Sequence, residues 1–376
     1  MSKIRLGILG GGDDSLIGPV HRIAAAMFDK YELIGGVFNA DWEENNRFAK
    51  KLGLDKNRVY KNLEAFLAKE KELPADKRIQ LVSVLTPNFL HFPMAKRLLE
   101  EGFHVICEKP LTTSLGEAEI LEKLRKQKKV IFAVTYTYTG YPMVRQMRSM
   151  VKEGTIGKIQ RIDVQYYQGW INSVIHNRES RSTVWRLQPE KSGLSCCIGD
   201  IGTHAFQMLE YVTGKQIRSI LADLNYLYED NPMDIDGTVL LRLEGTAKGV
   251  LRTSQIATAE ENNFTVAIYG EKGHLKWAQE NPNKLYLGLE HQPLQVLKPG
   301  HDYNSTSAKV ATKLPAGHPE GIFDAMGNIY LGVANAINNN AIEGAYPDLI
   351  DGVRGMRFIE RAIESHALGN KWIEMK

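Results

Sequence analysis

The sequence predicts an α/β protein with an N-terminal doubly wound parallel sheet and a C-terminal α+β part that contains a large, mostly antiparallel, open sheet. Two observations predict this fold class. Short apolar runs alternate with helical patterns over the first third of the 376 residues. After about residue 140, strand-like runs follow one another with few helices between them. The pattern therefore divides the chain into residues 1–137 and 138–376.

The first part has a sequence signal for each element. Its strand-like runs are almost continuously apolar, as expected for a sheet that is buried on both faces. They lie at residues 4–9, 32–38, 81–86, 104–109 and 129–136. Helical patterns lie between them at residues 21–30, 41–54, 91–102 and 115–129. Strand–helix alternation of this kind builds parallel strands joined by helical crossovers.

The second part consists mainly of half-buried strand patterns. These lie at residues 158–169, 217–228, 237–245, 249–257, 264–270 and 274–278. Helical patterns return at residues 319–338 and 347–368. Six strand-like runs with few crossover helices predict an antiparallel sheet.

Composition excludes several classes of function. Hydrophobic residues make up 43% of the chain and charged residues 24%, and the net charge is +3 with no long basic run. This argues against nucleic-acid or membrane-surface partners, which need a concentrated positive patch. No apolar stretch approaches the roughly 18 residues of a membrane span. With only three cysteines and no signal-peptide pattern, we expect a soluble, reduced, cytoplasmic protein.

A glycine-rich loop, GGGDDSLIG at residues 10–18, follows the first predicted strand and precedes a helical pattern. Glycines at this place let backbone amides approach a pyrophosphate at a helix N-terminus. Ser15 replaces the third glycine of the usual motif, and we expect Asp13 and Asp14 to turn outward, away from phosphates. A structural turn in an unrelated α/β fold is the alternative. The predicted dinucleotide contacts in this loop are Gly10, Gly12, Ser15, Leu16 and Ile17.

The residue after the second strand bears on the choice between NAD and NADP. An acidic residue normally holds the ribose there, but here the position is Asn39. Asn39 neither requires a free ribose 2′-hydroxyl nor offers a positive partner for a 2′-phosphate. We favour NAD because no arginine directly follows the strand, and NADP remains the alternative.

Lys109 lies in the segment Glu108-Lys109-Pro110, at the end of a predicted strand. Ligands of open α/β sheets bind beyond the carboxyl ends of the strands, so we expect Lys109 to face the cofactor crevice. A lysine there can lower the pKa of a hydroxyl and stabilise a developing alkoxide. The alternative is a solvated surface lysine.

Asp200 and His204 form a second candidate pair, at the start of the helical run HAFQMLEYVTG. We expect Asp200 to cap this helix, and its spacing from His204 lets the two side chains meet. A carboxylate that orients an imidazole suits a general base near neutral pH. On spacing alone, a helix cap and an ordinary helix histidine is the favoured interpretation.

Together these motifs resemble the Gfo/Idh/MocA family, the relatives of glucose–fructose oxidoreductase and inositol dehydrogenase. The resemblance rests on the strand–GGG loop, the segment Thr86-Pro87-Asn88 with His91, the Glu-Lys-Pro turn and the Asp-x-x-x-His pair, in order from residue 4 to about 213. The segments VKEGTIGKI (151–159) and YGEKGHL (269–275) extend it. Thr137 and Thr139 depart from the family's Asn-x-Arg-Phe signature, which bears on the substrate more than on the cofactor.

The resemblance implies a two-domain dehydrogenase that passes a hydride to C4 of the nicotinamide. In it, Lys109 contacts the reacting hydroxyl, His204 removes its proton and Asp200 positions the group. The further cofactor contacts that the resemblance implies, besides Lys109 itself, are Thr86, Asn88, His91 and Glu108.

Aromatic residues precede the Asp-His pair, and with an arginine they suit a polyhydroxylated ring. We expect at least half of Tyr166, Tyr167, Trp170 and Trp185 to belong to the core instead. The predicted substrate contacts are Tyr138, Tyr167, Trp185, Arg186, Asp200, His204 and His318. A zinc site at Cys196 and Cys197 is disfavoured, because adjacent cysteines cannot easily both reach one ion.

The predicted function is an NAD(P)-dependent dehydrogenase that acts on a secondary hydroxyl of a sugar, glycoside or cyclitol, with the C3 hydroxyl of a pyranoside preferred. One alternative is an enzyme that retains NAD and cleaves a glycoside through transient oxidation and elimination. Others are an inositol or polyol dehydrogenase and a non-catalytic sensor, the last disfavoured by the acid–base pair. The family likeness also suggests a homodimer or homotetramer.

Overall fold

The computed structural model describes residues 3–175, 184–226 and 233–376. The chain forms two compact units. Unit 1 comprises Met1–Thr112, Gly116–Thr137 and Ile322–Val353, and unit 2 comprises Thr113–Leu115, Tyr138–Gly321 and Arg354–Lys376.

This division differs from the expected one, in which residues 138–376 form a single continuous domain. The helix Ile322–Ile337 belongs to unit 1 because its apolar face, with Met326, Tyr330 and Val333, completes the hydrophobic core of that unit. A helical pattern in the sequence shows that a helix is amphipathic, but not which sheet it covers.

Unit 1 contains a five-stranded parallel sheet in the order β2-β1-β3-β4-β5. Its strands are β1 (Ile4–Gly10), β2 (Tyr31–Val37), β3 (Leu81–Leu85), β4 (His104–Cys107) and β5 (Phe132–Val134). Its helices are α1 (Gly18–Ala26), α2 (Trp42–Lys51), α3 (Leu63–Glu72), α4 (His91–Glu100), α5 (Leu115–Lys128) and α11 (Ile322–Ile337). The sequence analysis missed α3, and it predicted the other elements of residues 1–137 within a few residues. The parallel sheet brings the carboxyl ends of the strands to one edge.

Unit 2 contains a nine-stranded sheet in the order β13-β12-β11-β10-β6-β9-β8-β7-β14, antiparallel except for the pair β6–β9. Its strands are β6 (Ile159–Tyr167), β7 (Ile217–Asn225), β8 (Asp236–Leu243), β9 (Lys248–Ser254), β10 (Asn263–Gly270), β11 (Gly273–Ala278), β12 (Leu285–Leu289), β13 (Gln295–Leu297) and β14 (Ile373–Glu374). The fold class predicted from the sequence is confirmed. The last three strands, which are short, were not predicted.

Alternate residues along β8 are buried, so one face of this sheet is covered. Unit 2 also contains α-helices. They are α6 (Pro142–Lys152), α7 (Asn172–Ile175), α8 (Pro189–Ser192), α9 (Thr203–Thr213), α10 (Thr306–Ala311) and α12 (Leu349–Ala367). A π-helical turn, Ile198–Gly202, directly precedes α9. In the parts of the chain that the structure describes, every helix is too short or too polar to cross a bilayer.

Candidate active-site residues

The glycine loop of unit 1 leaves β1 at Gly10 and enters α1 at Gly18. Gly10 has a φ of +83°, and a Cβ atom there would lie 2.7 Å from the Leu85 carbonyl oxygen. A Cβ on Gly12 would lie 2.7 Å from the Phe38 carbonyl oxygen. Both positions therefore require glycine. Ser15 Oγ accepts a hydrogen bond from the Gly18 backbone N–H at 3.0 Å, which closes the loop before α1.

This loop fits an anionic dinucleotide. Asp13 and Asp14 are exposed, as expected, and Asp13 forms an ion pair with Lys51 at 2.8 Å. The first turn of α1 carries no acidic residue, so the positive end of its dipole is available to a phosphate. Leu16 is 95% exposed, whereas Ile17 is partly buried against the core of unit 1.

Asn39 follows β2 and turns a donor toward the loop. Its Oδ1 accepts a hydrogen bond from the Asp41 backbone N–H at 2.9 Å. Asp41 in turn caps α2 by accepting from the Glu44 N–H at 2.8 Å. The Asn39 amide nitrogen lies 4.0 Å from the Cβ position of Gly12. Because Asp41 is engaged in capping, Asn39 is the polar side chain that this edge of the sheet offers to a ribose.

His91 links the turns that follow β3 and β4. Its side chain is buried, with Nδ1 2.8 Å from the Pro110 carbonyl oxygen and Nε2 2.8 Å from the Thr86 carbonyl oxygen. Burial lowers the pKa of His91, and the two carbonyls oppose this effect. Both ring nitrogens face backbone carbonyl oxygens, so the His91 side chain links the two turns, and its contact with the cofactor stays a prediction. The imidazole holds in place the backbone next to Thr86 and Asn88.

Glu108 and Lys109 follow β4, and the Lys109–Pro110 peptide bond is cis. Glu108 Oε1 lies 2.9 Å from His21 Nε2 and also accepts a hydrogen bond from Thr135 Oγ1. Burial alone would raise the pKa of Glu108, but the hydrogen bond and charge of His21, with smaller contributions from Thr135 and Lys109, lower it to about 2. Glu108 is thus a carboxylate with a side chain only 14% exposed that stays ionised, directly before Lys109.

The sequence analysis did not single out His21 or Thr135 as partners of this carboxylate. His21 lies in the first turns of α1, and Thr135 follows β5. Their signal in the sequence is weak: His21 lies beside Arg22 in a short helix, and Thr135 is a small polar residue after an apolar strand. Only the pairing of distant strands and helices identifies them.

In unit 2, Asp200 lies within the π-helical turn Ile198–Gly202. The expectation that Asp200 caps the helix is wrong: the cap position of α9 is Gly202, and no side chain caps it. The wider turn continues directly into α9, so no extended residue precedes the helix. Asp234, which is buried, fixes the start of the turn by accepting from the backbone N–H groups of Cys196 at 2.9 Å and Ile198 at 2.7 Å. Single π-helical turns within helices often occur at functional sites.

The Asp200 carboxylate has two described partners. Gln255 Nε2 donates to Asp200 Oδ2 at 2.9 Å, and Arg186 Nε lies 3.5 Å from the same oxygen. The Cys196 thiol lies 3.3 Å from Gln255 Oε1 and donates to it, which fixes the amide with its NH2 group toward Asp200. The Arg186 guanidinium lies 4.5 Å from the centroid of the Trp185 ring. The structure thus brings Trp185, Arg186 and Asp200 together, and it adds Gln255, which the sequence analysis missed.

His204 is buried on α9 against aromatic rings. The Tyr138 ring meets the imidazole edge to face at 4.8 Å, and the Tyr166 ring lies 6.4 Å away. The two tyrosine hydroxyls share a hydrogen bond, and Tyr166 also donates to Asn262 Oδ1 at 2.7 Å. Burial raises the pKa of both tyrosines, so they remain neutral donors. These contacts confine the imidazole.

Two predicted substrate contacts lie apart from these clusters. Tyr167 is the neighbour of buried Tyr166 on β6, so its side chain points to the opposite face of the sheet. His318 is exposed on a loop, and its described hydrogen bond, from ring Nδ1 to the Pro315 carbonyl oxygen at 3.1 Å, stays within that loop. Within the described ranges, no group of three or more His, Cys, Asp or Glu side chains could hold a metal ion.

Two family descriptions match the chain. "Oxidoreductase family, NAD-binding Rossmann fold" matches residues 4–136, and "GFO/IDH/MocA C-terminal domain" matches residues 144–276. An oxidoreductase of Bacillus subtilis (strain 168), the uncharacterized protein YfiI, is 33% identical over 386 residues that cover 99% of this chain and 97% of YfiI. The chain belongs to the Gfo/Idh/MocA family. It is an oxidoreductase whose unit 1 is an NAD-binding Rossmann domain, as predicted.

Solved structures agree with this membership. An inositol dehydrogenase homologue from Azotobacter vinelandii, complexed with NAD+, has a TM-score of 0.93 and 32% identity, covering 99% of this chain and 97% of that chain. The same homologue with NADH and myo-inositol has a TM-score of 0.90 and 31% identity, covering 99% and 98%. The levoglucosan dehydrogenase of Pseudarthrobacter phenanthrenivorans is 24% identical over 77% of each chain. This Gfo/Idh/MocA protein thus belongs among NAD(P)-dependent sugar and cyclitol dehydrogenases.

Proposed function

We propose that this Gfo/Idh/MocA protein oxidises a secondary ring hydroxyl of a cyclitol or sugar, with NAD as the hydride acceptor. The observation that carries the proposal is the set of acid–base groups: Lys109 follows β4 in the NAD-binding unit, and Asp200 precedes His204 in unit 2. The A. vinelandii homologue with NADH and myo-inositol supports a cyclitol as the first substrate to test.

In this proposal, His204 accepts the proton of the reacting hydroxyl, and Lys109 donates a hydrogen bond to the oxygen as it becomes an alkoxide. The aromatic contacts of Tyr138 keep the imidazole in one orientation. Asp200, held by Gln255, orients the base or the substrate hydroxyl. When bound, NAD supplies the acceptor for the hydride that leaves the substrate carbon. General acid–base groups of this kind each contribute roughly 10²–10⁴-fold to the rate.

The polar groups beside Asp200 support a polyhydroxylated substrate. Arg186 and Trp185 offer a guanidinium fork and an aromatic face at one place, which suits the hydroxyl edge and the C–H face of a ring. The cofactor contacts that we propose in unit 1 are the loop residues Gly10, Gly12, Ser15, Leu16 and Ile17, with Asn39, Thr86, Asn88, Glu108 and Lys109. A homodimer or homotetramer and a cytoplasmic location remain part of this proposal.

The second candidate is the C3 hydroxyl of a pyranoside. The glucose-6-phosphate 3-dehydrogenase of Bacillus subtilis (strain 168), which is 25% identical to this chain, favours it, because that relative acts at position 3 of a sugar. A pyranoside and its 3-deoxy analogue separate the two candidates: only a C3 dehydrogenase turns over the first and fails with the second.

The test is the near-ultraviolet absorbance of reduced nicotinamide. The purified protein is mixed with NAD or NADP and with myo-inositol, other cyclitols, pyranosides and simple sugars, and Lys109→Ala is the control. We expect reduced coenzyme with NAD and a cyclitol or sugar, and little with the variant. No net reduction by the wild type with the whole panel would contradict the dehydrogenase. Bound NAD together with release of an aglycone would instead identify the NAD-retaining glycoside-cleaving enzyme.

A further inference from the structure

A chain of buried hydrogen bonds runs through unit 1 and ends at Glu108. The Ser83 hydroxyl on β3 lies 2.8 Å from the Tyr330 hydroxyl, and the Tyr330 hydroxyl lies 2.8 Å from His21 Nδ1. His21 Nε2 then contacts Glu108 Oε1 at 2.9 Å. Ser83, Tyr330 and His21 are fully buried. The chain connects β3, α11, α1 and the end of β4.

The direction of these bonds follows from the charge of Glu108. An ionised carboxylate only accepts hydrogen bonds, so His21 Nε2 carries a proton and donates it. His21 Nδ1 then either accepts from the Tyr330 hydroxyl or, when the ring is doubly protonated, donates to it. When Tyr330 donates to Nδ1, its one hydroxyl proton is used and Ser83 donates to Tyr330; when Nδ1 donates, Tyr330 can donate to Ser83 or accept from it. The chain therefore stays fully hydrogen-bonded whether the ring is neutral or charged.

The position of Tyr330 is fixed from both sides. The Tyr31 hydroxyl donates to the Tyr330 backbone carbonyl at 2.7 Å, and the Tyr31 ring meets the Tyr330 ring edge to face at 5.4 Å. His21 meets the same ring edge to face at 5.7 Å. Tyr330 lies in the segment Ile322–Val353, which belongs to unit 1 although it follows most of unit 2 in the sequence.

Burying polar side chains in this core costs free energy of folding unless each is hydrogen-bonded. Apolar residues of the same shape would pack the core as well, so packing alone does not require these polar residues. The chain ends on a carboxylate whose charge acts on the adjacent Lys109. We propose that His21 and Tyr330 are positioning residues: they hold the Glu108 carboxylate in place directly before Lys109, and that carboxylate attracts the Lys109 ammonium and helps to orient it for the reaction. This inference rests on the proposed function of Lys109.

Several charged or polar groups influence the Glu108 carboxylate, and a pH test must take all of them into account. They are His21 on α1, Tyr330 on α11, His91 on α4, Thr135 after β5, and Cys107 and Lys109 in its own segment. Without His21, the largest influence that lowers the pKa of Glu108 is lost, while burial, which raises it, remains. Glu108 should then become protonated at mildly acidic pH, and activity should fall there.

The experiment compares His21→Gln and Tyr330→Phe with the control Tyr60→Phe, which removes a buried tyrosine hydroxyl of unit 1 that bonds Glu70, outside the chain. In His21→Gln we expect kcat to fall about tenfold or more, and kcat/KM to lose activity at mildly acidic pH beyond the loss that protonation of the base causes in the wild type. Tyr330→Phe should change both in the same direction by less. Tyr60→Phe should change neither, and the dissociation constant of NADH, from fluorescence, should stay within about threefold in all three.

A wild-type pH profile in folded Tyr330→Phe and His21→Gln would overturn the proposal, as would an equal change in Tyr60→Phe. Nitrogen-15 NMR of the histidine rings tests the chain without any substrate, with the His21 signals assigned by their loss in His21→Gln. We expect a proton on His21 Nε2 and a change at Nδ1 in Tyr330→Phe. An unprotonated Nε2 would refute the chain, whereas a protonated Nε2 in a protein that oxidises no substrate would count against the proposed function alone.

Discussion

Glu108 in unit 1 and Asp200 in unit 2 each precede a proposed catalytic side chain, yet the protein holds them differently. Glu108 follows a parallel strand, its side chain is 14% exposed, and it accepts hydrogen bonds from His21 and Thr135. The side chain of Asp200 is 17% exposed, lies in a π-helical turn, and has a neutral amide and an arginine at 3.5 Å as described partners.

The difference indicates different tasks. A carboxylate that accepts charge-assisted hydrogen bonds from two donors is fixed in both position and ionisation, so Glu108 suits a permanent electrostatic partner of Lys109. Asp200 is similarly exposed, but its described partners are a neutral amide and Arg186, whose side chain is 39% exposed, so Asp200 suits contact with a substrate or with a base that changes charge. We therefore expect variants of unit 1 to affect stability and activity together, and those around Asp200 to affect activity alone.

The largest effect on activity should come from replacing Lys109 or His204, the proposed catalytic side chains that follow the two carboxylates. Lys109→Ala should lower kcat by roughly 10²–10⁴-fold and change the dissociation constant of NAD by only a few-fold, because its proposed role is at the alkoxide. Steady-state kinetics and equilibrium binding measure the two effects. Lys123→Ala, at an exposed position on α5, is the matched control. Near-normal turnover would remove Lys109 from the mechanism.

His204→Asn tests the proposed base in unit 2 and should lower kcat by a similar factor. It should also abolish the rise of kcat/KM with pH, because that rise reports deprotonation of the base. The full pH profile of both proteins is the measurement. If the variant keeps the wild-type profile, another group is the base.

Replacing each carboxylate by its amide tests whether the protein holds Glu108 and Asp200 differently. Glu108 has a pKa of about 2 against an ordinary value of 4.5, so its ionised form stabilises the fold above pH 4.5, and this contribution, on the order of 3 kcal/mol, is lost as the pH falls toward 2. Glu108→Gln should therefore lower the free energy of unfolding at neutral pH and weaken its dependence on acid. Asp200→Asn should leave the stability within about 1 kcal/mol and lower kcat.

Thermal unfolding between pH 3 and pH 7 provides the measurement for both exchanges. Equal losses of stability in the two variants would show that the two carboxylates are held alike, and would contradict the comparison.

The smallest expected effect concerns Gln255. Gln255→Leu keeps the volume but removes the donor to Asp200, and we expect kcat to fall about three- to tenfold, equivalent to one buried hydrogen bond of roughly 1 kcal/mol. Gln146→Leu, at another buried glutamine of unit 2, is the control for loss of a buried amide. Equal kinetics in the two variants would refute a role of Gln255 in holding Asp200.

Features that depend on residues close together in the sequence could be predicted, and features that depend on contacts between distant residues could not. The strands of unit 1 and the loop at Gly10 and Gly12 are local patterns, and the sequence predicted them within a few residues. The alternating strands of unit 2 were predicted for the same reason, whereas β14, with two residues, has no period to detect.

The partners of the candidate site depend on tertiary contacts that no local pattern contains. His21 and Tyr330 are 309 positions apart in the sequence, and Gln255 lies 55 positions from Asp200. The return of α11 to unit 1 and the π-helical turn at Asp200 were missed for the same reason. His91 is similar: its segment was predicted as part of the site, but its structural role, which burial and two backbone carbonyls give it, was not.

The most direct test of the account follows the hydride itself. The protein is supplied with NAD and with myo-inositol, or a pyranoside substrate, deuterated at every ring carbon, and mass spectrometry then measures deuterium in the recovered coenzyme. Hydride transfer from the ring carbon predicts one deuterium in the coenzyme for each ketone formed, at a much lower rate in Lys109→Ala. Ketone formed without deuterium in the coenzyme, or coenzyme reduced without deuterium, would contradict hydride transfer from the ring carbon.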